Sequence, residues 1–358
     1  MIKFALVGRG WRADYYKNIA ALLPRVFEIT DEIDGTEAWD VDFAVLAAKG
    51  AEFAVVSVKA DVLPELSAHI IKQGVPVLSE TPAALDLEAL GKLEAALAGV
   101  PQGREMYQLA ENYPYRPDVA ARIECIRQGL IGDPCVATVS YTNTYHAIAI
   151  MRKLLHLDAA TVRAFGGVEN VEVTTTKFPV LGQAVYSREG APTKREVTIT
   201  TETMSVLRFP DVDGVPKTAV YNFEDNQHRA YDRTRVIEIK GEHGTIHNET
   251  LYRQIDYKTP VESHILRRNI GEYDNVEGTG LYAMIAPAAN PKYVWQNPFL
   301  EASLSEYNQM NCRLNDDELA VATLVKKMSE YVASGYDETL APYPFEEAKI
   351  DIELWAKL

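Results

Sequence analysis

The sequence predicts an α/β protein: an N-terminal doubly wound parallel sheet, followed by a second α/β domain with an open, mostly antiparallel sheet. Short β-branched runs alternate with helical patterns over the first third, as parallel βαβ units do. Strands punctuated by Gly and Pro dominate after about residue 160. The 358 residues, 47% hydrophobic and 24% charged, suffice for two cores. The expected domains are 1–118 and 119–358.

In chain order, 2–7 reads as a buried strand and 11–23 as a helix. Residues 53–58 read as a second strand, 63–73 as a helix stopped by Gly74, and 75–78 as a third strand. Between Pro24 and Glu52 the pattern is poorer: 26–30 has strand character, and the acidic stretch after it stays unassigned. Residues 85–97 are helical with Asp86 as cap, and 106–110 close the first domain as a strand. Beyond it come a helix over 118–128 ended by Gly129, a strand over 136–142, and a helix over 146–155. That last helix carries Ile148, Met151, Leu154 and Leu155 at helical spacing. Strands are expected at 161–165, 171–178, 196–209, 218–223 and 235–240, with a turn at Glu242-His243-Gly244. Residues 271–298 read as a long excursion. Asn315 and Glu318 then open a helix as a capping box, and Gly335 ends it.

The net charge of −15 disfavours nucleic acid and anionic lipid as partners, because such a surface repels phosphate. Three cysteines, Cys125, Cys135 and Cys312, form neither a disulfide framework nor a zinc spacing, so they read as buried small hydrophobes and no metal is expected. With no leader-like segment and no apolar stretch of spanning length, the expected compartment is the cytoplasm.

Chemistry concentrates after the strand ends. Gly8-Arg9-Gly10-Trp11-Arg12-Ala13 gives G-x-G-x-x-A between the first strand and the first helix. There the first glycine allows a tight turn, the second admits a pyrophosphate, and the small third residue lets the helix pack on the strand. In this context the motif is a Rossmann turn for NAD or NADP. Arg9 and Arg12 can meet phosphate or stay solvated, and Asp31 and Glu32 are candidates for reading the adenine ribose. Ser57, next to last in the strand 53–58, is expected beside the cofactor. Lys59 follows that strand and can supply an ammonium to the crevice, or simply be solvated or paired with Asp61.

Ser79-Glu80-Thr81-Pro82 lies at another strand end. Together with the glycine turn, Glu111-Asn112-Tyr113-Pro114-Tyr115-Arg116-Pro117 and Gly129-Leu130-Ile131-Gly132-Asp133, it resembles the glucose-fructose oxidoreductase / inositol dehydrogenase / MocA family. The resemblance covers the first 160 residues, and the rest only in architecture. It implies a Rossmann domain with a second α/β domain whose open sheet makes a homodimer or dimer-based homo-oligomer. It also implies NAD(P)-dependent hydride transfer on a sugar, cyclitol or glycoside hydroxyl.

Residue by residue, the family's Glu-Lys-Pro tripeptide, whose glutamate and lysine contact the nicotinamide ribose, is matched by Glu80 and Pro82, while Thr81 replaces the lysine. Of the family's Asp-x-x-x-His, His146 is present and Thr142 stands at the aspartate position. His146 is therefore the expected acid/base group, since its unperturbed pKa lies near neutrality, with Lys59 behind it. Tyr113, Gln227 and His228 are expected beside a carbohydrate-like substrate between the domains, the last two within a polar run, 225–231, suited to many hydroxyls. Two alternatives stay open: a glycoside hydrolase or lyase that oxidises a hydroxyl transiently and recycles its cofactor, and a non-catalytic dinucleotide- or sugar-sensing protein.

Overall fold

The computed structural model describes residues 1–164, 166–181, 197–210, 216–224, 235–256, 258–269, 280–300 and 314–358. They form two compact units. The first comprises Met1–Ala121, Leu266–Ile285 and Tyr293–Ala356, and the second Arg122–Ile265, Ala286–Lys292 and Lys357–Leu358.

The first unit begins with strand β1 (Ile2–Val7), helix α1 (Trp11–Leu22) and strand β2 (Phe27–Ile33). The unassigned stretch beyond β2 holds only a 3₁₀ turn (Ala38–Asp40) and the short helix α2 (Phe43–Ala48). Then follow β3 (Phe53–Val56), α3 (Leu63–Lys72), β4 (Val77–Ser79), α4 (Leu87–Ala98), α5 (Gly103–Met106), β5 (Tyr107–Leu109) and α6 (Pro117–Arg127), whose residues from Arg122 on belong to the second unit. All five strands are parallel, in the order β2-β1-β3-β4-β5. All four residues of β3 are buried, as expected of a strand covered on both faces. The order reverses between β1 and β3, and in doubly wound sheets ligands bind outside the carboxyl ends of the strands at such a point.

The second unit is built on β6 (Pro134–Ser140), α7 (Thr144–Leu154), α8 (Ala159–Ala164), β7 (Asn170–Leu181), β8 (Val197–Phe209) and β9 (Lys217–Glu224). It continues with β10 (Val236–Gly241), β11 (Gly244–His247), β12 (Thr250–Gln254) and β13 (Pro260–His264). The eight strands form one sheet in the order β13-β12-β11-β10-β6-β9-β8-β7, antiparallel except for β6 beside β9. Helix α7 packs on β6 and β9 through one sheet face, where Ala137, Val139, Ala219 and Tyr221 are buried. On the opposite face Val136, Thr138, Val206 and Val220 stay half-exposed.

The chain then returns to the first unit with an antiparallel three-stranded sheet, β14 (Leu266–Asn269), β15 (Leu281–Ile285) and β16 (Tyr293–Gln296). Helices α9 (Asp316–Ala333) and α10 (Phe345–Trp355) follow. Here the structure departs from a division into 1–118 and 119–358. Helix α9 buries Leu319, Val321, Leu324, Val325 and Met328 and packs against α1. Helix α10 packs on α4 and β5, and the Leu109 amide donates to the Tyr343 carbonyl at 2.8 Å. Each fully buried Leu or Val contributes about 1.5–3 kcal/mol, which these helices gain by covering the parallel sheet's own helices.

Three further expectations are corrected. The strand expected over 161–165 is a helix over its described residues: 159–164 form α8, and the Asp158 carboxylate accepts from the Thr161 amide at 2.7 Å, which overrides the β-branched pair Thr161-Val162. The supposed excursion 271–298 contains β15 and β16. Cys125 is buried as expected, whereas Cys135 is only half-buried, with its Sγ 3.2 Å from the Lys240 carbonyl. Cys312 lies outside the described residues.

Candidate functional site

Strand β1 ends at Val7, and the Gly8 amide donates to the Ile33 carbonyl at 2.8 Å while the Ser57 amide donates to the Val7 carbonyl at 2.7 Å. The carboxyl ends of β1, β2 and β3 are thereby drawn together. Gly8 has φ +120°, and a Cβ there would lie 1.9 Å from the Ser57 carbonyl oxygen. No side chain fits. Gly10 differs: its φ of −76° suits any residue, and nothing lies within 4 Å of where its Cβ would be. It is the N-cap of α1 and offers no side chain to cap the first-turn amides. No close contact within the protein requires Gly10 to lack a side chain, and its absence keeps open the space in front of a helix N-terminus.

That space is suited to an anion, because the first-turn amides point outward and the helix dipole is positive there. The residues present thus fit a dinucleotide pyrophosphate. Ala13, the third position of the motif, is fully buried and lets α1 lie close to the sheet.

The other expected residues of the first unit follow the carboxyl ends of β1, β3, β4 and β5. Trp11 is 64% exposed and meets Tyr15 edge-on at 5.8 Å between ring centroids. Arg9 reaches back to β2, its Nη1 lying 3.3 Å from Asp34 Oδ2. Ser57 is buried, and Lys59 beyond it is exposed, with no carboxylate, Asp61 included, within ion-pair distance among the described residues. Thr81 is half-buried and Pro82 buried. Tyr113 sits half-buried in a 3₁₀ turn after β5, its amide donating to Glu111 Oε1 at 3.2 Å.

Glu80 and Arg12 sit differently from the expectation that both face the cofactor. The Glu80 carboxylate is buried; its Oε1 accepts from Arg12 Nε at 2.9 Å and from the Tyr16 hydroxyl at 2.6 Å, and its Oε2 from the Thr81 amide at 3.3 Å. Burial works against the Arg12 charge, but Glu80 outweighs it and holds the guanidinium protonated beyond its ordinary value. The Tyr16 hydroxyl is pushed well above its usual pKa, first by burial and then by the adjacent carboxylate.

The acid at the end of β2 is Asp34, which the sequence did not single out. Asp31 and Glu32 lie inside β2, and Glu32 pairs with Lys17. Asp34 Oδ1 accepts from the Thr36 amide at 2.9 Å and its hydroxyl at 2.7 Å. These Thr36 donors, side chain first, hold its carboxyl below the usual carboxylate range; burial opposes them weakly and Arg9 reinforces them. The missing signal was strand length: β2 runs three residues past the expected 26–30, which brings Asp34 to the crevice.

In the second unit His146 occupies the first turn of α7, half-buried, with its ring centroid 4.3 Å from that of Tyr145. The Thr144 amide donates to the Tyr221 hydroxyl at 3.2 Å, which fixes the helix start to β9. Thr142, at the position of the expected aspartate, is fully buried. Gln227 and His228 lie outside the described residues.

No family model matches the chain, and no curated protein matches it. Solved structures do. An oxidoreductase from Sinorhizobium meliloti superposes with a TM-score of 0.59 at 15% identity, covering 99% of this chain and 95% of that one. An NAD binding oxidoreductase from Klebsiella pneumoniae gives 0.57 at 14% identity, covering 100% and 96%. Levoglucosan dehydrogenase, solved in complex with NADH and levoglucosan, gives 0.55 at 14% identity, covering 99% and 97%. At such identity the likeness establishes the fold: a parallel, Rossmann-like sheet with a second, mostly antiparallel sheet, shared with proteins described as oxidoreductases.

Proposed function

We propose that the protein is an NAD-dependent oxidoreductase that transfers a hydride to or from a hydroxyl-bearing carbon of a small carbohydrate-like substrate. The observation that carries the reading is Gly10, which neither backbone geometry nor packing requires to be glycine, placed at an uncapped helix N-terminus. The fold shared with the oxidoreductases above, one of them a sugar dehydrogenase complex, supports the substrate class.

The protein's own residues bind and orient. The amides of the 8–13 turn would hold the pyrophosphate. Asp34, kept ionised by Thr36, would accept from the adenine ribose hydroxyls and repel a 2′-phosphate, so NAD is read as the cofactor in preference to NADP. When bound, the nicotinamide supplies a hydride acceptor. The hydroxyl proton needs a base, and His146 is read in that role, because neither Thr81 nor Thr142 is a base at neutral pH. Lys59 is the second candidate. Tyr113 is read as a substrate neighbour.

Titrating the protein with NAD and NADP by calorimetry, and then following reduced cofactor over a panel of sugars, cyclitols and glycosides, tests the reading. NAD should bind more tightly than NADP, and at least one polyol should be turned over. His146→Ala should then lower the rate about 100- to 10,000-fold while NAD affinity stays at the parent value. Full activity in that variant would remove His146 as the proton-transfer group.

A further inference from the structure

The first turn of α1 is tied to the end of β4 by a buried polar cluster. Arg12 and Tyr16 stand one helical turn apart on the same face of α1, either side of the fully buried Ala13, and both donate to Glu80 Oε1. Oε2 of the same carboxylate takes the Thr81 amide. The Arg12 guanidinium also lies 5.0 Å from the centre of the Tyr15 ring, which closes it in from the side. The start of the glycine turn is held by the Gly8 amide on Ile33 and by Arg9 beside Asp34, but beyond it Gly10 contributes no side chain and Trp11 is largely exposed.

We propose that Glu80, Arg12 and Tyr16 form a buried anchor that positions the 8–13 turn, so that Glu80 is a positioning residue for the dinucleotide and not one of its ligands. The proposal rests on the dinucleotide reading given above. The cation of Arg12 is spent on a carboxylate 2.9 Å away inside the protein, leaving the phosphates to the main-chain amides. Amides bind an anion well only when they converge on one point, and two charge-assisted hydrogen bonds into a buried acceptor fix the helical turn that carries them.

Tyr16→Phe is the clean probe, because the Tyr16 side chain is fully buried and its hydroxyl lies beyond the reach of any ligand. Glu80→Gln is its stronger companion. Two readouts are taken: NAD affinity by calorimetry, and amide hydrogen exchange over residues 8–16 in the cofactor-free protein. Tyr16→Phe should weaken NAD about 3- to 10-fold and Glu80→Gln about 10-fold or more, with faster exchange over 8–16 in both. Unchanged exchange with weakened affinity in Glu80→Gln would make Glu80 a direct ligand and overturn the anchor. Faster exchange with unchanged affinity would overturn its positioning role. Should Glu80→Gln fail to fold, Tyr16→Phe decides alone. If the parent protein binds no dinucleotide, the cofactor reading fails, and the exchange comparison still tests the anchor.

Discussion

Gly8 and Gly10 lack side chains for different physical reasons, and substitution should separate them. Gly8→Ala places a Cβ against the Ser57 carbonyl at a φ of +120°, so it should destabilise the protein by about 2 kcal/mol or more, read as a lowered denaturation midpoint. Gly10→Val meets no protein atom within 4 Å and loses only a better N-cap, so stability should fall by no more than about 1 kcal/mol while NAD binding is lost in calorimetry. Equal NAD affinity in Gly10→Val would end the assignment of the turn. Asp34 carries a second prediction: Asp34→Ser should shift preference toward NADP, measured as the ratio of the two dissociation constants. The carboxyl is held below the usual range, so its contribution to NAD binding should persist from neutral pH down to about 4 and be lost only as pH falls through its lowered pKa. Binding that falls already between pH 7 and 5 would point to another group.

The glycine turn was legible because spacing within six residues carries its meaning. Asp34 was not, since its place depends on where β2 stops, and that follows from pairing with β1 across a register irregularity at Phe4/Ala5. At the scale of elements the same division holds. The capping box was readable, and it forms: the Asn315 side chain accepts from the Glu318 amide at 2.9 Å, and Glu318 accepts from the Asn315 amide at 2.8 Å. Asn315→Ala should cost about 1 kcal/mol in urea denaturation, because α9 loses the acceptor for its first-turn amide. An unchanged midpoint would mean that packing on α1 alone holds α9. Thr161 and Val162 favour a strand where α8 forms, and the local bond from the Thr161 amide to the Asp158 carboxylate decides for the helix.

At the scale of the whole molecule, the second unit's sheet offers a proposal about assembly. Its face toward α7 is buried, whereas Val136, Thr138, Val206 and Val220 on the other face are half-exposed, and that face is read as the contact between two copies. Light scattering at micromolar concentration should give a dimer-based mass, and Val206→Lys should lower it by placing a charge beside Val220 in the registered pair β8–β9. A monomeric parent would remove the proposal. No helix among the described residues is long and apolar enough to cross a membrane.

By itself the sequence determined the alternation of strands and helices, the parallel sheet and the glycine turn, because each is written in residues that are neighbours along the chain. Only the tertiary structure decided that α9 and α10 belong with the first sheet, that Asp34 ends β2, and that the Glu80 carboxylate turns inward to an arginine 68 residues earlier in the chain. Buried polar groups take whichever partner the packed fold brings within about 3 Å, and no local pattern encodes that distance.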